Sequence, residues 1–189
     1  MSVGNVKLQR IILIDRDGVI NERAPVDHYI THPDNFIIIS DTLNAMRMLS
    51  KLDFAFVVIT NQAGIGRGLF SIDDLTLVHE KMTRILIEND VSILDVYICP
   101  HAPNEGCDCR KPKPGMLLQA AQKYNINLNE CLFIGDDPRD VIAAHNANAK
   151  SILINCSEQE RIDSGVKPTY FAPKLSELLE HIKSFYQNS

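Results

Sequence analysis

Residues 11–21 read IILIDRDGVIN, and no other stretch constrains the fold as strongly. Four apolar residues, Ile11 to Ile14, run without a polar break into Asp15-Arg16-Asp17-Gly18. Such a run suits a strand buried on both faces, as in parallel sheets. Two carboxylates then stand two residues apart at the strand's carboxyl end, where open α/β sheets bind ligands. Like charges in one place raise each other's pKa unless a cation is shared. A hard cation such as Mg²⁺ would relieve that repulsion. Asp15 would stay ionised and able to attack an electrophile, and Asp17 would be placed to move a proton. A lone DxD also fits a plain polar turn, so its meaning depends on the rest of the chain.

The pattern of an apolar run ending in a polar cluster recurs. Strands are expected over residues 7–14, 54–60, 93–99, 131–135 and 151–155, with helices between them. Ser40-Asp41 should cap a helix over 42–51. Ser71 with Asp74 should open a helix reaching about residue 88, with Leu75, Val78, Met82, Ile85 and Leu86 as its buried stripe. His79 and Lys81 lie off the core of that stripe and are read as surface residues. Pro114 should start a helix over 116–124, and two more should cover 141–147 and 174–185. This alternation implies a doubly wound parallel sheet with helices on both faces. Residues 21–35 are polar and too long for a simple connection, and Asp27, His28 and Tyr29 are their candidates for ligand contact.

At 189 residues the chain suits a single domain spanning 1–189. A net charge of −5 with no basic block argues against nucleic acid as partner. No apolar stretch approaches the ~18 residues of a membrane span. The N-terminus runs directly into the first strand, leaving no room for a signal peptide, so a cytoplasmic protein is expected. Monomer is the default.

Five cysteines are present, and three cluster with a histidine at 99–109. Cys99, His101, Cys107 and Cys109 form a closed set of three thiolates and an imidazole, as structural Zn²⁺ takes. C-x-H and C-x-C differ from finger spacing, so the zinc should pin a loop rather than read nucleic acid. Cys131 and Cys156 read as core residues.

Other strand ends add chemistry. Thr60-Asn61-Gln62-Ala63-Gly64 follows the second strand, Asp136-Asp137-Pro138-Arg139-Asp140 the fourth, and the zinc loop delivers Arg110 and Lys111. Acids with a Lys, an Arg and a Thr fit the surroundings of a phosphoryl group.

On these motifs the chain resembles the haloacid dehalogenase superfamily of phosphatases. DRDGVIN is similar to that superfamily's first motif, TNQAGIGRG to the second, CRKPKPGM to the third and GDDPRD to the fourth. The zinc loop before RKP narrows the resemblance to the branch of sugar-bisphosphate and histidinol-phosphate phosphatases. DHYITHPDNF, GLF and HEKM resemble the sugar-bisphosphate members more. The resemblance implies a Rossmann-like core without a large cap domain and an Mg²⁺-dependent phosphatase acting on a heptose 1,7-bisphosphate, in supply of nucleotide-activated heptose for bacterial surface polysaccharide. It implies Asp15 as nucleophile, Asp17 as general acid/base, Thr60 on the phosphoryl oxygens and Lys111 as the neutralising cation. It places Mg²⁺ on Asp15, Asp136 and the backbone carbonyl of Asp17, and substrate on Asp27, His28, Tyr29, Asn61, Gln62, Ala63 and Arg110.

The chain departs from the family pattern. Ala63 stands where Ser is usual, residues 22–26 are longer than in some members, and Asp137 stands where some carry Lys. Lys113 competes with Lys111 for the third-motif role, and Lys111 is preferred because it abuts the zinc loop. Histidinol-phosphate phosphatase is the second enzyme reading. A catalytically dead zinc-stabilised binding module is the non-enzyme reading, and the intact catalytic set speaks against it.

Overall fold

The computed structural model describes residues 10–25 and 28–187. Residues 7–9 of the expected first strand, and Asp27, lie outside the described residues. Six strands form one parallel sheet: β1 (Arg10–Ile14), β2 (Phe54–Asn61), β3 (Ile93–Cys99), β4 (Leu132–Gly135), β5 (Lys150–Leu153) and β6 (Tyr170–Phe171). Their order is β3-β2-β1-β4-β5-β6. The chain builds outward from β1 in one direction, then returns and builds in the other. The switch falls between β1 and β4, where such sheets open a crevice at their carboxyl ends. Ile14 pairs with Val58 on one side and Ile134 on the other, so Asp15, Thr60 and Asp136 emerge side by side.

Among the described residues, seven helices cover the sheet: α1 (Ser40–Ser50), α2 (Ala63–Gly66), α3 (Ile72–Glu88), α4 (Gly115–Tyr124), α5 (Pro138–Asn146), α6 (Glu158–Ser164) and α7 (Leu179–Gln187). Alternating side chains divide the core into two layers. Ile12, Ile14, Phe56, Val58 and Ile134 pack with Met46 of α1, Met82 of α3 and Ile182 of α7. Leu13, Val57, Ile59 and Phe133 pack with Leu117 of α4 and Ala144 of α5. Among the described residues there is no large cap domain. Among the described residues no helix is long and apolar enough to cross a membrane.

Several expectations shift. Helix α1 starts at Ser40 with Ile39 as its uncapped N-cap residue. Asp41 accepts instead from the backbone N–H and hydroxyl of Ser176. Helix α5 begins three residues earlier than expected, because Asp137 and Asp140 form a capping box. The last expected helix opens as a 3₁₀ turn, Leu175–Leu178, before α7. Helix α6 and strand β6 were not anticipated, although Ser157 with Glu160 and the left-handed Gly165 mark the ends of α6.

His79 and Lys81 are corrected. His79 is partly buried, its Nε2 3.0 Å from Nη1 of the buried Arg16. Lys81 is also partly buried, and its Nζ donates to the carbonyl of Pro33 at 2.6 Å. Both sit beside the stripe rather than opposite it, so neighbouring loops reach them.

Helix α7 ties down the two central strands. The Tyr186 hydroxyl donates to the Ile11 carbonyl at 2.7 Å and accepts from the Leu132 N–H at 3.1 Å. Its ring meets Phe54 edge-on at 5.2 Å. Replacing Tyr186 with Phe keeps the ring but leaves the Leu132 N–H unpaired. It should lower unfolding free energy by about 1–3 kcal/mol, read as a lower urea midpoint at unchanged m-value.

Candidate active site at the carboxyl ends of the sheet

The site is built around a buried lysine. The Lys111 side chain is 3% exposed, and each proton of its ammonium has an acceptor. These are Asp15 Oδ1 at 2.8 Å, Asp140 Oδ1 at 2.8 Å and the Ile59 carbonyl at 2.9 Å. Its backbone is gripped by Asn61, whose side-chain amide donates to the Lys111 carbonyl and whose oxygen accepts the Lys111 N–H, both at 3.1 Å. Asn61, expected to touch substrate, is thereby committed to holding the lysine segment. Lys113 points elsewhere, onto Asp108 and the Cys107 carbonyl, half exposed.

Asp15 follows β1 and is fixed at both ends. Its N–H donates to the Ile134 carbonyl at 2.8 Å, and its Oδ1 accepts from the Arg16 N–H at 2.7 Å. Burial, with Asp140 and Asp136 close by, pushes its pKa up to about 8 despite Lys111. Burial likewise pushes Asp136 up to about 6 against the pull of Arg23, whose Nε lies 2.6 Å from Asp136 Oδ2. Carboxylate oxygens of Asp15, Asp136 and Asp140 lie within 4.8 Å of one another, close enough to share a cation. Asp136 Oδ1 is buried without a hydrogen-bond partner, as a metal ligand is before its ion is counted. Gly18 makes this packing possible. It has φ +85°, and a Cβ there would sit 1.5 Å from Asp136 Oδ2.

Asp17 is held by three side chains. Arg16 forks onto both its oxygens at 2.8 Å, Asn21 donates to Oδ1 at 3.0 Å, and Gln62 donates to Oδ2 at 2.9 Å. Burial works to raise its pKa, but Arg16, Asn21 and Gln62 together hold it below the ordinary value. The same Gln62 amide donates to Thr60 Oγ1 at 2.9 Å, joining Asp17 to the end of β2. Asp137 caps α5 and pairs with Arg139 at 2.8 Å.

Asp15, Asp17, Thr60, Asn61, Lys111, Asp136 and Asp140 line one cavity of about 390 Å³. Its wall also carries His28, Tyr29, Ala63, Arg67 and Arg110. Arg110 Nη1 is buried without a hydrogen-bond partner. Tyr29 is steadied by Phe70, ring centroids 5.5 Å apart, and Phe70 in turn packs where Gly64 lacks a side chain. The structure thus brings together Asp15, Asp17, Thr60, Lys111, Asp136, His28, Tyr29, Asn61, Ala63 and Arg110, with Gln62 beneath them bonded to Asp17. Asp140 was named only among the acids that end the fourth strand, His79 was read as a surface residue, and Arg16 and Arg23 were given no site role from sequence. The Asp137-x-x-Asp140 spacing was the signal available for Asp140, and the adjacency of Arg16 to both motif acids was the signal for Arg16.

The cysteine-histidine loop closes beside this cavity. Cys99 Sγ lies 3.6 Å from His101 Nδ1 and from Cys107 Sγ, and 3.2 Å from Cys109 Sγ. His101 Nδ1 lies 3.2 Å from Cys109 Sγ. Burial and the neighbouring thiols push Cys109 up to about 12, so collecting thiolates here calls for a cation. The donor set and its closeness fit tetrahedral zinc.

Residues 108–178 match the HAD-hydrolase-like family. The chain is 34% identical to D-glycero-beta-D-manno-heptose-1,7-bisphosphate 7-phosphatase of Pasteurella multocida, covering 93% of this chain and 98% of that protein. It is 43% identical to the protein of that name from Escherichia coli K12, over 72% and 74% of the two chains. The crystal structure of D,D-heptose 1,7-bisphosphate phosphatase from B. bronchiseptica, complexed with magnesium and phosphate, superimposes with a TM-score of 0.86 at 32% identity, over 93% and 99%.

Replacing Lys111 with Met leaves Asp15 and Asp140 buried without their shared cation. With Mg²⁺ omitted, the variant should lose about 3–5 kcal/mol of unfolding free energy at pH 8.5. The loss should be smaller at pH 6. The pKa of Asp15 is raised in the folded state, so there it carries a proton and needs the lysine less. Chemical denaturation at the two pH values reads this.

Proposed function

The chain belongs to the HAD-like hydrolases, in the family of the D-glycero-beta-D-manno-heptose-1,7-bisphosphate 7-phosphatases, and on that premise we propose that it removes the C7 phosphate of this sugar bisphosphate. One observation carries the reading beyond membership. A single cavity holds a buried carboxylate oxygen lacking a partner, Asp136 Oδ1, and a buried guanidinium nitrogen lacking one, Arg110 Nη1. The first suits a cation and the second an anion, as a phosphorylated substrate with Mg²⁺ requires.

Asp15 attacks the phosphorus, and the phosphoryl group passes to its carboxylate as the bond to the sugar oxygen breaks. Asp17 gives that oxygen a proton, then takes one from the water that releases phosphate from Asp15. The contacts holding Asp17 low favour the second duty. The arriving phosphate's negative charge raises the cost of ionised Asp17 and so favours the first. Lys111 offsets charge on Asp15 and on the transferring group, and Thr60 with nearby backbone N–H groups orients the phosphoryl oxygens. Gln62 sets Asp17 and Thr60 relative to one another. Arg110 takes the second phosphate, and His28, Tyr29 and Ala63 shape the sugar's side of the cavity. Mg²⁺, held by Asp15, Asp136 and the backbone carbonyl of Asp17, would supply charge neutralisation at the phosphoryl oxygens. The product would feed nucleotide-activated heptose for lipopolysaccharide in the cytoplasm. Zinc on Cys99, His101, Cys107 and Cys109 is structural, since its four ligands leave no open position.

Phosphate release with Mg²⁺ from the heptose bisphosphate should exceed that from histidinol phosphate by 100-fold or more in kcat/KM, about 2.7 kcal/mol of transition-state discrimination. The opposite preference would move the chain to the histidinol-phosphate side of the branch. Asp15→Asn should abolish turnover without unfolding the protein. Freshly purified, unchelated protein should carry about one zinc per chain by elemental analysis. Well under half an equivalent would remove the zinc assignment.

A further inference from the structure

We propose that Arg16 and His79 form a positioning pair that fixes the carboxylate of Asp17 for proton transfer. The inference rests on the reading of Asp17 as the acid/base. Arg16 lies between the two motif aspartates, yet its side chain is turned inward and 1% exposed. A guanidinium is buried at such cost only when its protons find acceptors. Nε and Nη2 are spent on Asp17, at 3.1 and 2.8 Å. That leaves Nη1, and its partner is His79 Nε2 at 3.0 Å, brought by helix α3 from 63 positions away in sequence.

The chemistry of this contact has one solution. Arginine only donates, so His79 Nε2 accepts and the ring is neutral with its proton on Nδ1. Burial and the charge of Arg16 agree, holding His79 down at about 3. Helix α3 is anchored independently through Leu75, Val78 and Met82. His79 therefore transmits a rigid element's position to the guanidinium, and the guanidinium's planar fork transmits it to Asp17. On the far side Asn21 and Gln62 complete the grip. Asp17, 28% exposed and lining the cavity, has freedom to rotate once that fork tilts.

The test compares His79→Leu with His79→Gln, the latter returning an acceptor oxygen near the place of Nε2. On heptose 1,7-bisphosphate with Mg²⁺, His79→Leu should lower kcat about 10- to 100-fold, part of the 10²–10⁴ that acid–base catalysis supplies, with KM within about twofold. His79→Gln should recover most of that loss. Crystal structures should show Asp17 leaving Gln62 in the Leu variant and keeping it in the Gln variant. Undiminished kcat in His79→Leu overturns the proposal. So does equal loss in both variants at wild-type thermal midpoints, or an unmoved Asp17. If the Leu variant does not fold, the Gln variant alone decides, through its kcat and its Asp17 orientation. A wild-type protein inactive on the bisphosphate would fail the functional reading instead, and the position of Asp17 would still judge the pair.

Discussion

One buried ammonium group organises the catalytic end of this molecule. Lys111 joins the nucleophile candidate that follows β1, the first turn of α5 and the Ile59 carbonyl of β2 through three short contacts. Each partner is a group that burial alone would make costly. Asp15 and Asp140 are carboxylates with little access to water, and Ile59 is fully buried near the carboxyl end of β2. The lysine satisfies all three, and they satisfy it. Removing any member strands the others, so the site's stability and its charge balance are the same property.

That lysine cannot be delivered by a sheet element. It lies two residues past Cys109, on a loop with little apolar surface of its own. The cysteine-histidine cluster compensates by closing the loop from both ends, and backbone bonds then seat it. Gly66 donates to Pro100, Gly115 donates to Asp108, and Asn61 clamps Lys111 itself. Gly66 is essential to this close approach, because a Cβ there would lie 2.5 Å from the Ala102 nitrogen. The chain of causes runs from thiol spacing, to loop closure, to the placement of one charge beside Asp15.

The parts legible in the sequence were those fixed by local pattern. Buried parallel strands are continuous apolar runs, so β2 and β4, with the apolar part of β1, and the polar clusters at their ends stood out. Helix α3 announced itself through Ser71 and Asp74, and the cysteine-histidine cluster through its spacing. What escaped was decided by distant contacts. Asp41 looked like part of a helix cap, but its carboxylate is taken by Ser176, 135 residues away. His79 looked like a surface residue because nothing near it in sequence reveals a buried arginine above it. Arg16 carried no reading of its own in the sequence, although its side chain forks onto Asp17. Strand β6, two residues long at the sheet's edge, has too little pattern to be seen.

In the proposed reaction Asp15 itself carries the phosphoryl group. Rapid acid quench of the protein with Mg²⁺ and heptose bisphosphate labelled at the C7 phosphate, followed by peptide mapping, tests it directly. The expected result is a phosphate that is acid-stable and alkali-labile on the peptide containing Asp15, formed and lost at rates matching turnover. Efficient turnover with no label on that peptide at any quench time, or label on another residue, would contradict it.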